Sequence, residues 1–212
     1  MSKVCIVDYG LGNLKSIQRG LEQVGAKVIL SSKPEDISTA SHLVLPGVGA
    51  FEAGVRGLKD AGLIAPIFEF VETGAPLLGI CLGMQMLLDK SEEQGNHRGL
   101  GLIPGIVRKI PQGLGGTIQR KIPNIGWIEL QCSEDQDWEG SCLKGVRSGE
   151  YFYFVHSFMA VPDETKYILA QCNDEGFLIT AGVKRENITG LQFHPEKSGE
   201  AGLKILKNFV NL

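Results

Sequence analysis

The chain has 212 residues, of which 43% are hydrophobic and 21% charged, with a formal net charge of -3 and no long block of one sign. That length suffices for one large domain with a sizeable core, and the charge balance argues against a nucleic-acid surface or a polybasic membrane patch. No apolar run approaches the length needed to cross a bilayer.

The N-terminus, MSKVCIVDYG, goes straight into a short apolar run and lacks the h-region and cleavage site of a signal peptide, so a cytoplasmic location is expected. Val4 to Val7 reads as a buried strand. After Gly10 to Gly12, residues Leu14, Ile17, Leu21 and Val24 fall on one helical face, and Gly25 is a C-terminal stop. Strands follow at Val28 to Leu30 and Leu43 to Leu45, then helices near Ala53 to Asp60 and Leu63 to Glu72. A strand at Leu77 to Ile80 leads into a helix from about Leu82 to Leu88. This alternation predicts an α/β fold with a mostly parallel, doubly wound sheet and helices on both faces.

The second half changes character. Ile106 to Ile110, Trp127 to Leu130, Tyr151 to His156, Tyr167 to Gln171, Phe177 to Val183 and Ile188 to Phe193 all read as strands with short connections, which predicts an antiparallel extension. A last helix spans Gly199 to Val210. With no internal repeat or linker, residues 1 to 212 are expected to form a single domain. Gly10-Leu11-Gly12 invites a dinucleotide reading, but Lys15 stands where the third glycine belongs, so a tight strand-to-helix turn is the better account. The five cysteines are widely spaced with no CxxC, which argues against a disulfide framework or a zinc knuckle.

Residues 79 to 83, G-I-C-L-G, have the spacing of a nucleophile elbow, with sulfur in place of the hydroxyl. Taken alone, a cysteine in an apolar run is more often a small buried hydrophobe. At a strained strand-to-helix turn, however, the helix N-terminus favours a thiolate at Cys81, and the Leu82 N–H would point at an oxyanion. A cysteine nucleophile needs a base held by a third group. Among four histidines, His97 lies in a polar stretch, His42 precedes a strand, and His156 ends an apolar run as a core or pocket residue beside Ser157. His194 ends the last strand, and Glu196, two residues on, can meet it on the same side of an extended segment. A metal reading of this pair lacks further ligands. The glycine-rich Gly47, Val48 and Gly49 also follow a strand and can offer N–H donors to an oxyanion. Gln85, one helical turn beyond Cys81, can contact a substrate beside the sulfur.

Together, G-I-C-L-G-M-Q, F-H-P-E and P-G-V-G resemble the motifs of class I glutamine amidotransferases, in order and in separation, across nearly the whole chain. The resemblance implies a triad of Cys81, His194 and Glu196 that hydrolyses glutamine through a γ-glutamyl thioester and releases ammonia, with no cofactor. It puts the oxyanion hole at Gly47, Val48, Gly49 and Leu82, and glutamine contacts at Gln85, Gly49, His156 and Ser157. V-D-Y-G-L-G-N-L, P-N-I-G-W, Y-F-V-H-S and H-P-E-K-S are similar to the glutaminase subunits of imidazole glycerol phosphate synthases, whose partner in a heterodimer is a (β/α)8-barrel cyclase acting on PRFAR in histidine biosynthesis. By that resemblance Asn13, Asn124, Trp127 and Lys197 lie near the partner interface. Asn124 and Ile128 depart from the residues usual in those subunits. Two alternatives stay open: a paralogous subunit supplying ammonia for amidation of a bacterial surface sugar, and a stand-alone γ-glutamyl peptidase.

Overall fold

In strand β1 (Lys3–Val7), Val4 and Ile6 enter one core while Cys5 and Val7 enter another on the opposite face, and none of the four is exposed. A strand buried on both faces must be covered on both, and the chain supplies the covers in turn. After β1 come α1 (Leu14–Gln23), β2 (Lys27–Ser31), α2 (Pro34–Ser38), β3 (His42–Leu45), α3 (Phe51–Asp60), α4 (Ile64–Glu72), β4 (Leu77–Ile80) and α5 (Leu82–Met86). The second half holds β5 (Leu88–Ser91), β6 (His97–Arg98), β7 (Ile103–Lys109), β8 (Asn124–Cys132), β9 (Tyr151–His156), β10 (Phe158–Pro162), β11 (Ile168–Asp174), β12 (Phe177–Arg185), β13 (Ile188–Leu191) and α6 (Gly199–Val210). This computed structural model describes residues 2–112, 122–132, 138–174 and 176–212.

Among the described residues, nine strands form one sheet in the order β2-β1-β3-β4-β13-β12-β11-β8-β9. The β2-β1-β3-β4-β13 half is parallel and the remainder antiparallel. A second sheet, β10-β7-β5-β6, lies beside it. The predicted doubly wound sheet with an antiparallel extension is therefore what forms. One core packs α1 and α6 on the sheet through Ile17, Leu21, Ile205, Leu206 and Phe209. The other packs α2, α3 and α4 through Ile37, Phe51, Leu58, Ile67 and Phe70, together with Leu88, Ile103, Val107 and Ala160 of the second sheet. Each such fully buried Val, Leu, Ile or Phe side chain contributes roughly 1.5–3 kcal/mol. No helix among the described residues is long and apolar enough to cross a membrane.

Several expected boundaries move. The helix after Cys81 ends at Met86 rather than Leu88, because the N–H groups of Leu100, Leu102 and Ile103 capture the carbonyls of Met86 and Leu87 and turn the chain into β5. Strands β7 and β8 each begin three residues before the expected start, at Ile103 and Asn124. Strand β13 stops at Leu191 rather than Phe193, ahead of a 3-10 turn over Pro195–Lys197. The unpredicted α2 buries a single side chain, Ile37, so it has no apolar period to read.

Candidate active site

Cys81 joins β4 to α5 with φ 55° and ψ -111°, a conformation that a non-glycine residue adopts at a cost of about 1–3 kcal/mol. Close packing holds it there. Its N–H donates to the Leu191 carbonyl at 2.8 Å, and its own carbonyl accepts from Gln85 N at 3.2 Å. The flanking glycines are required by proximity. A Cβ on Gly83 would sit 1.9 Å from the Leu45 carbonyl oxygen, and one on Gly79 would sit 2.9 Å from the Gly83 and Met84 backbone. These contacts let α5 descend onto the ends of β3 and β4, which leaves Cys81 at the carboxyl edge of the parallel strands.

His194 comes from the other side, just beyond β13. Its Nδ1 lies 2.8 Å from Glu196 Oε1, and both side chains are almost wholly buried. The link is made through the 3-10 turn rather than through a continued extended strand, which corrects the geometry expected from the sequence while keeping the pair. The backbone of His194 is tied to β9: its N–H donates to the Tyr153 carbonyl, and Ser198 Oγ donates to the His194 carbonyl while accepting from Tyr153 N. The remaining ring nitrogen, Nε2, is buried without a hydrogen bond at rest. Burial alone would lower the imidazole pKa, but the Cys81 sulfur and the Glu196 carboxylate outweigh it and raise it from 6.5 to about 9. A sulfur, an imidazole and a carboxylate thus stand in sequence, an arrangement able to generate a thiolate–imidazolium pair.

A cavity of about 390 Å³ opens over the sulfur, lined by Val48, Gly49, Cys81, Leu82, Gln85, Glu93, Pro123, Val155, His156, Ser157, Phe158 and His194. Gln85 donates to the Phe158 carbonyl at 3.1 Å and to Gln192 Oε1 at 2.9 Å. The His156 ring lies with Nδ1 2.8 Å from the same carbonyl, so that nitrogen carries the proton. Gly49, at φ +99°, lies in the loop after β3, and the Leu82 N–H, first in α5, has no intrahelical acceptor by position. Gly47 packs against Leu82, where a Cβ would come within 2.8 Å of the Leu82 Cβ. A larger cleft of about 730 Å³ lies elsewhere, between Asp89, Arg98, Arg108 and Asp163, and among the described residues its lining has no cysteine, serine or histidine.

Three residues were not legible beforehand. Glu93 is the one carboxylate among the described residues of the lining, and its Oε2 accepts from Phe51 N at 2.7 Å. Gln192, fully buried, donates to Cys81 Sγ at 3.7 Å. Tyr9 donates to the Pro46 carbonyl at 2.6 Å and so pins the start of the glycine-rich loop; burial, then the nearby Cys81, pushes its phenol well above the ordinary range. Tyr9 lies in the V-D-Y-G-L-G-N-L stretch and Gln192 directly precedes F-H-P-E, but nothing local says which polar residue of a stretch the tertiary fold brings to the site.

The class-I glutamine amidotransferase family model matches residues 5–212. The chain belongs to that family. It is 51% identical over 214 residues to the imidazole glycerol phosphate synthase subunit HisH 1 of Legionella pneumophila (strain Lens), covering 100% of both chains. It is 46% identical over 209 residues to the HisH subunit of Archaeoglobus fulgidus, covering 99% of this chain and 98% of that one. In three dimensions it is similar to the PurLQS structure from Thermotoga maritima, with a TM-score of 0.72 at 20% identity, covering 100% of this chain and 99% of that one. A crystal structure of a glutamine amidotransferase matches with a TM-score of 0.69 at 17% identity, covering 98% and 99%.

On this amidotransferase the four residues expected at a partner interface take different positions. Trp127 is 54% exposed on β8, and Ile125, on the same face, is exposed as well. Lys197 is exposed, with its Nζ 5.6 Å from the centre of the Tyr153 ring. Asn13 is half-buried ahead of α1. Asn124 is buried, its Nδ2 3.5 Å from His156 Nε2, so it faces the cavity wall rather than solvent. No metal-ligand cluster occurs among the described residues.

Proposed function

We propose that residues 1 to 212 act as one amidotransferase unit, the glutaminase subunit of imidazole glycerol phosphate synthase. In this reading the chain hydrolyses glutamine in the cytoplasm and passes ammonia to a (β/α)8-barrel cyclase working on PRFAR in histidine biosynthesis. The observation that carries it is the buried line from Cys81 through His194 to Glu196 at the floor of the 390 Å³ cavity, in a chain whose full-length relatives bear that subunit name. The sugar-amidation alternative is not favoured by those relatives, and nothing in the cavity favours the peptidase.

The chemistry follows from the geometry. Cys81 Sγ, as thiolate, attacks the side-chain carbonyl carbon of glutamine. The developing oxyanion is received by backbone N–H groups of Leu82 and of the loop Gly47, Val48 and Gly49. Collapse breaks the carbon–nitrogen bond, and His194 gives its proton to the leaving ammonia, leaving a γ-glutamyl thioester. His194 then takes a proton from water as it attacks the thioester, which yields glutamate and returns the thiolate–imidazolium pair. Glu196 holds the ring in one orientation throughout. Glu93 is the counter-charge for the substrate ammonium group, while Gln85, Gly49, His156 and Ser157 frame the rest of the amino acid.

The partner reading draws on a second observation. Strand β9 is the sheet edge, and with β8 it exposes Ile125, Trp127 and Tyr151 on one face. The same strand carries the Val155 carbonyl that lies 3.9 Å from Cys81 Sγ. An apolar aromatic patch of this kind fits a partner interface, and it includes Tyr151 of the strand that lines the cavity. Asn13, Asn124 and Lys197 border or underlie it in this reading. Substituting Cys81→Ala tests the assignment: in the complex with the cyclase, glutamine-dependent turnover of PRFAR falls below detection while ammonium-dependent turnover is retained. Loss of both in a complex that still assembles would refute it.

A further inference from the structure

The Phe158 carbonyl fixes the orientation of two buried amides. A carbonyl oxygen only accepts hydrogen bonds. The Gln85 nitrogen 3.1 Å from it is therefore an NH2, and the same nitrogen donates at 2.9 Å to Gln192, which must present its oxygen. Gln85 has then spent both N–H groups, and the polar atom it can still offer the cavity is its carbonyl oxygen. Gln192, having turned its oxygen to Gln85, is left with its NH2 on the other side, 3.7 Å from Cys81 Sγ. Flipping Gln192 would set two NH2 groups against each other, and flipping Gln85 would set its oxygen against the Phe158 carbonyl and Gln192 Oε1, in a space with no solvent exposure at Gln192.

A fully buried N–H without an acceptor costs about 1–3 kcal/mol. Here the acceptor is the sulfur, and a thiolate accepts far better than a thiol. Gln192 lies two residues before His194, and its backbone N–H is fixed to the Ala181 carbonyl at 2.9 Å. One strand end thus brings an N–H donor and an imidazole to the same atom. We propose that Gln192 is a fourth member of the catalytic group, donating to the Cys81 thiolate with its NH2 and, through its oxygen, holding Gln85 with its carbonyl toward the substrate. The proposal rests on the reading of Cys81 as the nucleophile.

The alternative is that Gln192 only fills buried space. Two variants separate the roles: Gln192→Met keeps the bulk without the donor, and Gln192→Glu keeps the shape but sets a carboxylate on the sulfur. The readout is alkylation by iodoacetamide, followed at the Cys81 peptide by mass spectrometry across pH in folded full-length chain. With Gln192→Met, alkylation at pH 7 slows about tenfold and its pH profile moves to higher pH, as expected for loss of one hydrogen bond to a charged acceptor; with Gln192→Glu the displacement is larger. An unchanged rate and profile in folded Gln192→Met would overturn the proposal. Should neither variant fold, the wild-type chain labelled with 15N-glutamine decides it: one side-chain amide pair shifts when Cys81 is alkylated, and a spectrum in which none shifts would overturn it. Failure of the underlying reading shows up separately, as glutamine hydrolysis that survives alkylation of Cys81 in wild type.

Discussion

At the scale of single residues, His194 is where burial and charge compete most directly. Burial favours the neutral ring, yet Cys81 and Glu196 carry its pKa up to about 9. A histidine whose folded pKa is raised contributes stability that is complete below its unfolded value of about 6.5 and is lost as pH rises through about 9. Removing one of the two groups that raise it, by Glu196→Gln, therefore lowers the thermal midpoint most at pH 6.5 and below. The gap between wild type and variant narrows steadily from pH 6.5 and has largely closed by about pH 9. Melting curves taken between pH 6.5 and 10 check this, and a gap constant across that range would contradict it. Cys81, His194 and Glu196 could be picked out from the sequence because their flanking glycines and their i, i+2 spacing carry geometric meaning. Gln192 and Glu93 could not, since a lone amide or carboxylate gives no local sign of the cavity that folding builds around it.

At the scale of elements, the elbow between β4 and α5 is the part of the fold that tolerates least. Gly83 lets α5 rest on the Leu45 carbonyl, so Gly83→Ala forces backbone apart rather than a flexible side chain. The expected cost is about 3 kcal/mol or more, read as a lower urea midpoint at unchanged m-value, and a loss under about 1 kcal/mol would contradict the packing argument. The strained φ of Cys81 depends on the same contacts, so glutaminase activity falls in parallel. The parallel half of the sheet was readable because strands buried on both faces give short continuous apolar runs between turns: the Leu77–Ile80 strand and the Gly199–Val210 helix fall where the pattern puts them. Strands β5 and β10 were not readable. Only Leu88 and Ser91 of β5 and Ala160 of β10 are buried, and their strand character comes from pairing with β7, far along the chain.

At the scale of the whole molecule, the cavity lining and the exposed aromatic face meet on one strand, β9. Phe152 and Phe154 anchor it inward against Phe193 with ring centres 4.6 Å and 5.5 Å apart, while Tyr151 and Tyr153 turn outward. A partner seated on Trp127 and Tyr153 would bear on the backbone that holds His194. Trp127→Ala should weaken association with the barrel cyclase by about 2 kcal/mol, roughly thirtyfold in Kd, because large exposed aromatics at interface centres carry most of the binding energy. Its own melting temperature should stay nearly unchanged, since the ring is half in solvent. Calorimetric titration of the cyclase reads the first and a melting curve the second, and an unaltered Kd would move the interface off this face. The sequence made Trp127 a candidate only by resemblance, because whether an aromatic in a strand faces core or solvent depends on register. The central claim is that Cys81 carries the glutamyl group. Rapid acid quench of the assembled complex turning over glutamine, followed by mass spectrometry of its cysteine peptides, tests it most directly. The account predicts a γ-glutamyl adduct on the Cys81 peptide and on no other; glutamate formed with no adduct, or with the adduct on Cys5, Cys132, Cys142 or Cys172, would contradict it.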